Sequence, residues 1–292
     1  MRIANLDQRL VLLIGDGAVD VAIASSGRFT SDPQAVYADW DAFTAWAATV
    51  DATTAQAYDP TRLGAPTPAP GQIFAVGLNY ADHAGESGLA VPAEPAVFTK
   101  FVSSITGPDA TVELPTATVD WEVELVVVIG RPAYRVGAAR AWEHVAGLTI
   151  GQDLSERTRQ LVPPAPQFSL GKSFPGFSPI GPWVVSPDEL VDRDDLELGC
   201  AVNGEQVQKG RTADLLFSVP VLVERLSAVL PLSPGDIIFT GTPSGVGHAR
   251  SPQRYLAAGD VLTSWVQGLG EIRTTFVDGP PYLAPTTTTR EH

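Results

Sequence analysis

The chain has 292 residues, and its 19 basic and 33 acidic side chains give a formal charge of −14. This length allows one large domain or two modest ones around a sizeable core. The acidic balance argues against nucleic acid or an anionic membrane as a partner, because both would repel the protein surface. The single cysteine, Cys200, excludes a disulfide framework and any zinc site built from several thiolates.

The composition also bears on location. With 44% hydrophobic and 18% charged residues, the chain is typical of a globular protein. No apolar run approaches the roughly 18 residues that a membrane span requires. The first ten residues, MRIANLDQRL, are too polar to begin a secretory signal. We therefore expect a cytoplasmic protein with neither a membrane nor nucleic acid as its partner.

Residues 1–70 are predicted to form a small N-terminal α+β domain. The segment RLVLLIGDGAVDVAIA indicates two short strands joined by a turn at residues 15–17. It is followed by DPQAVYADWDAFTAWAATV, whose apolar residues, among them Trp40, Phe43 and Trp46, recur at helical spacing. We expect these rings to pack in a core rather than to bind a ligand. Residues 63–71 are rich in Pro, Gly and Ala, as a linker would be.

Residues 71–285 are predicted to form a second, mostly β domain, and 286–292 a disordered tail. Apolar runs such as IFAVGL, WEVELVVVIG, GPWVVS, LELGCAV and GDIIFTGT alternate with Gly, Pro and Asn turns. Residues 203–205 (NGE) form a predicted hairpin turn. Helices are predicted in AARAWEHVAG, after Asp153 and in ADLLFSVPVLVERLSAVL, where Pro220 marks a kink or a first turn.

Two carboxylates stand two residues apart in the apolar run VDWEVELVVVIG. Alternate residues of a strand face the same side, so Glu122 and Glu124 would project together about 6–7 Å apart. On a buried face the pair would need a cation or hydrogen-bond donors. An edge strand with its acidic face in solvent is the alternative, and the uninterrupted LVVVIG that follows argues against it.

A third carboxylate, Asp153, follows the apolar segment LTIGQ and precedes a predicted helix. Aspartate also suits a helix N-cap, and for Asp153 taken alone that interpretation is the better one. Together with Glu122 and Glu124, it would offer three hard oxygen donors, which suit Mg²⁺, Mn²⁺ or Ca²⁺ rather than zinc or copper. The spacing in sequence does not show that the three converge.

His83 and Glu86 lie three residues apart in GLNYADHAGESG. On a helical turn they would share one side, where Glu86 could orient His83 for proton abstraction. An incidental ion pair at the start of a surface helix explains the spacing equally well.

Lys172 is one of only three lysines in the chain, with Lys100 and Lys209, and lies in the apolar segment FSLGKSFPGFSPIGPW. A lone ammonium in such a segment either extends to solvent or meets an anion. The excess of carboxylates favours the second interpretation.

The segment FTGTPSGVG, residues 239–247, is a glycine-rich turn after a strand. It lacks the lysine and the spacing of a phosphate-binding P-loop, which excludes that nucleotide motif. It is either a tight connection or a backbone and Thr242 cradle for a substrate carboxylate.

Taken in order, these motifs closely resemble the fumarylacetoacetate hydrolase family. They are GLNYADHAGES, DWEVELVVVIG, GQDLSERTRQ, GKSF with GPW, VNGE and LSPGDIIFTGTPSGVG, and the resemblance covers residues 71–277. It implies a mostly β (α+β) protein, with a mixed β-roll catalytic domain after the small N-terminal domain, and a homodimer.

The resemblance also implies roles for individual residues. Glu122, Glu124 and Asp153 would ligate a divalent metal, usually Mg²⁺ or Mn²⁺, and His83 with Glu86 would activate water. Lys172 matches the family's active-site lysine, whereas Arg157, Gln160 and Thr242 match positions that contact substrate. This chain has Pro175 and Gly176 where the family often has Asp-Thr, so a threonine that can support the metal region is missing.

The expected activity is hydrolysis of a C–C bond in a 2,4-dioxo acid of the acylpyruvate or fumarylpyruvate type. A decarboxylase, tautomerase or isomerase acting on a related oxo acid is the alternative within the family. A non-catalytic binder of small oxo acids is the alternative outside enzymes.

Overall fold

The computed structural model describes residues 1–82 and 92–280, in which strands dominate. In chain order they are β1 (Arg2–Leu6), β2 (Arg9–Ile14), β3 (Gly17–Asp20), β4 (Gln56–Ala57), β5 (Leu63–Gly64), β6 (Ile73–Gly77), β7 (Ala96–Thr99), β8 (Ile105–Thr106), β9 (Asp109–Leu114), β10 (Val119–Asp120), β11 (Val123–Ile129), β12 (Val145–Gln152), β13 (Ser155–Glu156), β14 (Ser178–Val185), β15 (Glu197–Val202), β16 (Glu205–Arg211), β17 (Ile237–Phe239), β18 (Val261–Val266) and β19 (Gly270–Asp278).

The helices are short. The α-helices are α1 (Val21–Ala24), α2 (Trp40–Ala47), α3 (Arg157–Gln160), α4 (Phe168–Gly171) and α5 (Val219–Val229). Short 3₁₀ helices cover Ala35–Asp39, Ala52–Thr54, Pro60–Arg62, Val102–Ser104, Ala138–His144, Pro187–Glu189 and Thr212–Asp214. Within residues 1–82 and 92–280, no helix has both the length and the apolar character needed to cross a bilayer.

Two large sheets organise the described chain. The first has 12 strands in the order β4-β3-β2-β1-β14-β12-β11-β17-β6-β7, with β5 paired to β1 and β8 to β14. The second has five strands in the order β16-β15-β18-β19-β9, and β10 pairs with β13. Most pairs are antiparallel, but β17 with β6, β19 with β9 and β14 with β8 are parallel. This mixed, mostly β architecture confirms the predicted α+β fold class.

The N-terminal strands continue the sheet of the rest of the chain. Strand β1 pairs antiparallel with β14, with Arg2 opposite Val185, and β2 and β3 extend the sheet beyond it. The predicted division at residue 70 stays a prediction about folding units.

Several local predictions are confirmed. Strands β15 and β16 form a hairpin, in which Asn203 and Gly204 adopt the positive φ values that such turns need. Pro220 lies in the first turn of α5, where its missing N–H costs nothing. The helix predicted in AARAWEHVAG is only partly correct. It is a 3₁₀ helix that ends at His144, because the residues that follow pair in β12 with β11 and β14.

Strand β11 lies between β12 and β17, and all seven of its residues are buried. Leu125 and Val127 pack in a core shared with α5 and the five-stranded sheet. Val126 and Val128 pack in a second core that includes Trp40 and other residues of the N-terminal part. The edge-strand alternative for the two glutamates is therefore wrong.

Candidate metal and active site

Three carboxylates meet where β11 begins and β12 ends. The antiparallel register places Val123 opposite Gln152, so Glu122 and Glu124 flank the position that Asp153 reaches. One ligand oxygen from each of the three lies within 4.8 Å of the others, and all three residues are buried. Asp153 is not a helix cap, because α3 is capped by Glu156, which accepts from the N–H groups of Thr158 and Arg159.

Two lysines contact this carboxylate group. Lys172 Nζ lies 2.6 Å from Glu122 Oε2 and 2.7 Å from Asp153 Oδ2. Lys100 Nζ lies 2.6 Å from Asp153 Oδ1 and also donates to the carbonyl oxygen of Lys172. Arg157 Nη1 lies 2.8 Å from Glu122 Oε1. No role was assigned to Lys100 from the sequence, although the scarcity of lysine could have marked this residue as a candidate.

The pKa values of the two lysines shift in opposite directions. Burial is the largest effect on both and lowers the pKa of each. For Lys172 the charges of Asp153 and Glu122 outweigh it, so its pKa is raised. Lys100 is next to Asp153 but also to the like charge of Lys172, so its pKa is lowered. Of the two lysines, Lys172 therefore has the higher pKa.

Glu124 is the carboxylate with the least compensation. Among the described residues, Lys100, Arg157 and Lys172 pair with Asp120, Glu122 and Asp153, whereas Glu124 accepts the N–H of Gly241 at 2.7 Å. Burial, followed by the charges of Asp153 and Glu122, raises the pKa of Glu124 well above its usual value. Four buried carboxylates thus face three cationic side chains. This uncompensated set of hard oxygen donors fits a divalent cation such as Mg²⁺ or Mn²⁺.

Two buried glutamines, which the sequence analysis did not identify, hold the start of β11. Gln152 accepts from the N–H of Glu122 at 2.8 Å and donates to Ser264. Gln208 accepts from the N–H of Val123 at 3.0 Å. These side chains replace ladder bonds that the strand lacks there, and they fix Glu122 against the five-stranded sheet.

Backbone N–H groups of the glycine-rich segment donate hydrogen bonds to carboxylates of the protein itself. Gly241 N–H reaches Glu124, and Gly247 N–H lies 2.7 Å from Asp120 Oδ1. Gly241 has a φ of +104°, and a Cβ on Gly247 would lie 1.9 Å from the carbonyl oxygen of Arg254. Glycine is therefore required at both positions, and these two amides are not free to cradle a substrate.

A cavity of about 560 Å³ opens beside the cluster. It is lined by Gly77, Leu78, Ala96, Phe98, Glu122, Arg157, Gln160, Leu161, Phe168, Lys172, Val246, His248 and Ala249. Of the predicted site residues, Glu122, Arg157, Gln160 and Lys172 thus share one wall. His248 was not identified from the sequence.

The other predicted residues lie elsewhere. The hydroxyl of Thr242 donates to the carbonyl oxygen of Val123 at 2.9 Å and accepts from Gln208 at 2.8 Å, so its contact with substrate stays a prediction. His83 and Glu86 lie outside the described residues.

The departure at Pro175 and Gly176 has a local explanation. Gly176 has a φ of +80°, which glycine adopts at little cost, and a Cβ there would lie 3.1 Å from Val112 Cγ2. A threonine at this position would be strained in this backbone.

Comparisons with known proteins identify the family of the chain. The family model for the C-terminal domain of fumarylacetoacetate (FAA) hydrolase matches residues 72–277. A fumarylacetoacetate hydrolase domain-containing protein 2 homolog from Dictyostelium discoideum is 44% identical over 214 residues, which are 70% of this chain and 70% of that protein.

Solved structures extend the similarity over nearly the whole chain. A candidate HpcE protein from Mycobacterium smegmatis is 57% identical, with a TM-score of 0.92 over 96% of this chain and 100% of that one. Maleylpyruvate hydrolase from Sphingobium sp. SYK-6, in complex with manganese(II) and pyruvate, is 28% identical, with a TM-score of 0.80 over 96% and 100%. Isomerases are also among the matches. With its motifs, its fold and these similarities in agreement, the chain belongs to the fumarylacetoacetate hydrolase family.

Proposed function

We propose that this protein is a divalent-metal-dependent hydrolase that cleaves a C–C bond in a 2,4-dioxo acid of the acylpyruvate or fumarylpyruvate type. The observation that carries the proposal is the buried group of Glu122, Glu124 and Asp153, with Lys172 paired to it and lining the cavity. The similar maleylpyruvate hydrolase, whose structure contains manganese(II) and pyruvate, supports it.

Glu122, Glu124 and Asp153 would hold Mg²⁺ or Mn²⁺, and the bound metal would supply Lewis-acid stabilisation of the enolate that C–C cleavage leaves. Lys172 would add a second positive charge on the cavity wall. Because it is shielded from water, its effect on a developing anion is larger than in solution. The products would be a carboxylic acid and a 2-oxo acid.

Arg157 and Gln160 are proposed to orient the substrate. Four of the five N–H groups of Arg157 already point to Asp120, Glu122 and Gln160. Within residues 1–82 and 92–280, one N–H of Arg157 therefore remains to meet a substrate oxygen. His83, assisted by Glu86, is proposed to take a proton from the attacking water.

An isomerase, tautomerase or decarboxylase is the second candidate, and the isomerases among the structural matches favour keeping it. These reactions use the same enolate stabilisation but need no attacking water. His83→Ala separates the two: we expect it to abolish hydrolysis, whereas an isomerase or a decarboxylase that needs no activated water would keep its activity.

The decisive experiment is a screen of 2,4-dioxo acids with added Mg²⁺ or Mn²⁺, followed by loss of enol absorbance and release of pyruvate. Glu122→Gln should lose metal binding and turnover together, whereas Glu271→Gln, which removes an exposed carboxylate, should keep both. Failure of every acylpyruvate and of related oxo acids to react would favour a non-catalytic binder. Full activity in metal-free Glu122→Gln would refute the mechanism.

We further propose a homodimer, which the family resemblance implies. Four apolar side chains around the sheet-edge strand β7 and helix α4 are between 44% and 50% exposed, and we name them the β7 apolar patch: Val97, Phe101, Val102 and Leu170. The N–H of Phe101 bonds to Ser173, which ties the patch together. A second copy of the chain would remove this apolar surface from water.

A further inference from the structure

Beyond the carboxylates, the cavity wall is mostly apolar. Leu78, Phe98, Leu161, Phe168 and Val246 line it. The rings of Phe98 and Phe168 meet edge to face with their centroids 5.7 Å apart. If the reacting carbons of a substrate lie beside Lys172, the remainder of the substrate therefore contacts these apolar side chains.

The cationic side chains on this wall are already paired with carboxylates of the protein. Lys172 forms two ion pairs, with Glu122 and Asp153. Arg157 binds Asp120 with two nitrogens and Glu122 with a third. The positive charges of Lys172 and Arg157 are thus paired with carboxylates at the candidate metal site. Among the contacts of the described residues, a single N–H of Arg157 remains for the carboxylate that every 2-oxo acid carries.

His248 is the remaining titratable group on the described wall. Its Nδ1 lies 2.8 Å from the hydroxyl of Tyr255. Burial, followed by the charge of Arg157, lowers the pKa of His248, although Asp120 opposes this. The ring is therefore mostly neutral near pH 7.

From these contacts we infer that the substrate carries an uncharged, apolar acyl group, such as an aromatic or branched aliphatic group, rather than a second carboxylate. The inference rests on the proposed function and narrows its substrate class. On the described wall, a distal carboxylate would lie against Phe98 and Phe168 with no unpaired cation to receive it, and burying it there is costly. An aromatic or aliphatic group would fill the same space and bury apolar surface.

Three matched ligands test the inference: 2,4-dioxo-4-phenylbutanoate and its para-carboxy and para-carboxamide derivatives. The carboxamide has the size of the carboxylate without its charge, so it separates charge from fit. Binding is measured by calorimetry at pH 7.5 on the Mn²⁺-loaded His83→Ala variant, in which hydrolysis should be abolished, and turnover is measured in parallel on the wild-type protein. We expect the phenyl and carboxamide ligands to bind at least about tenfold more tightly than the carboxylate.

Leu161→Arg, compared with Leu161→Gln, provides the matched variants, because Leu161 is 44% exposed and tolerates a longer side chain. The arginine variant should bind the carboxylate ligand about tenfold more tightly than the glutamine variant does. The two variants should bind the phenyl ligand with similar affinity.

The outcomes separate this inference from the proposed function. Equal binding of all three ligands, or preference for the carboxylate, overturns the inference even if all three are cleaved. Preferential binding of the uncharged ligands without cleavage supports the inference and refutes the proposed hydrolase. If none of the three ligands binds, both the inference and the proposed function are contradicted.

Discussion

The guanidinium of Arg157 donates to Asp120 Oδ2 from both Nε and Nη2, at 2.9 and 2.7 Å, and both side chains are buried. The same carboxylate accepts the backbone N–H groups of Trp121, Gly247 and His248. Asp120 thus joins the start of β11, helix α3 and the glycine-rich segment. The cavity wall depends on this one carboxylate, which is not one of the three candidate metal ligands.

Asp120→Asn should lower the free energy of unfolding by about 3–5 kcal/mol, because it leaves the buried guanidinium without its main partner. Urea denaturation followed by tryptophan fluorescence measures the change. Glu143→Gln, which breaks the exposed pair with Arg140, should shift the midpoint by no measurable amount. Equal midpoints for Asp120→Asn and wild type would contradict this account.

Glu124 should make the metal-free protein sensitive to pH. Its pKa is raised in the folded state by burial, then by Asp153 and Glu122. The stability that the protonated form contributes is therefore complete below the pKa of an unfolded glutamate and is lost as pH rises through the folded value. In the presence of a chelator, Glu124→Gln should lose less stability than wild type as pH rises above about 4.5.

Thermal denaturation across that pH range, with Glu271→Gln as the control, tests this prediction. The same variant should respond differently to metal. Saturation at about 100 times the dissociation constant stabilises a native protein by about 2.7 kcal/mol. We expect this gain from Mn²⁺ in wild type and in the control but not in Glu124→Gln. Identical pH profiles for all three proteins would rule out the buried-carboxylate explanation.

Lys100→Met removes a cation whose side chain is fully buried against Asp153. The metal-free protein should lose about 3–5 kcal/mol of stability, because the buried carboxylate of Asp153 is left with one cationic partner fewer. Mn²⁺ should bind more tightly than in wild type, since one repelling charge is gone. Calorimetry measures the affinity, and Lys209→Met, at an exposed position, is the control. Weaker Mn²⁺ binding would show that Lys100 positions the ligands rather than offsetting their charge.

Phe101→Glu tests the proposed homodimer. A charge in the β7 apolar patch should weaken self-association about tenfold or more, because it would be buried unpaired at the interface. Sedimentation velocity over a range of concentrations measures the change. Val191→Glu alters an exposed apolar residue outside the patch and should behave as wild type does. A monomeric wild-type protein would refute the proposal outright.

The sequence was sufficient where local patterns carry the information. Alternation along β11 placed Glu122 and Glu124 on one side, the Asn-Gly pair at 203–204 located a hairpin, and Pro220 marked the start of α5. The order of motifs identified the family. Where only pairing between distant strands decides the structure, as after His144, the local helical pattern was misleading.

The sequence by itself therefore determined which residue types could form a metal site and in which family. The tertiary structure decided which charges are compensated. Asp120, Gln152, Gln208 and Lys100 were not assigned a role from the sequence, because each acts through a partner between 30 and 85 residues away. Contacts over such distances leave no periodic pattern in a sequence. Burial makes them matter, because an unpaired charge or N–H is costly only where water cannot reach it.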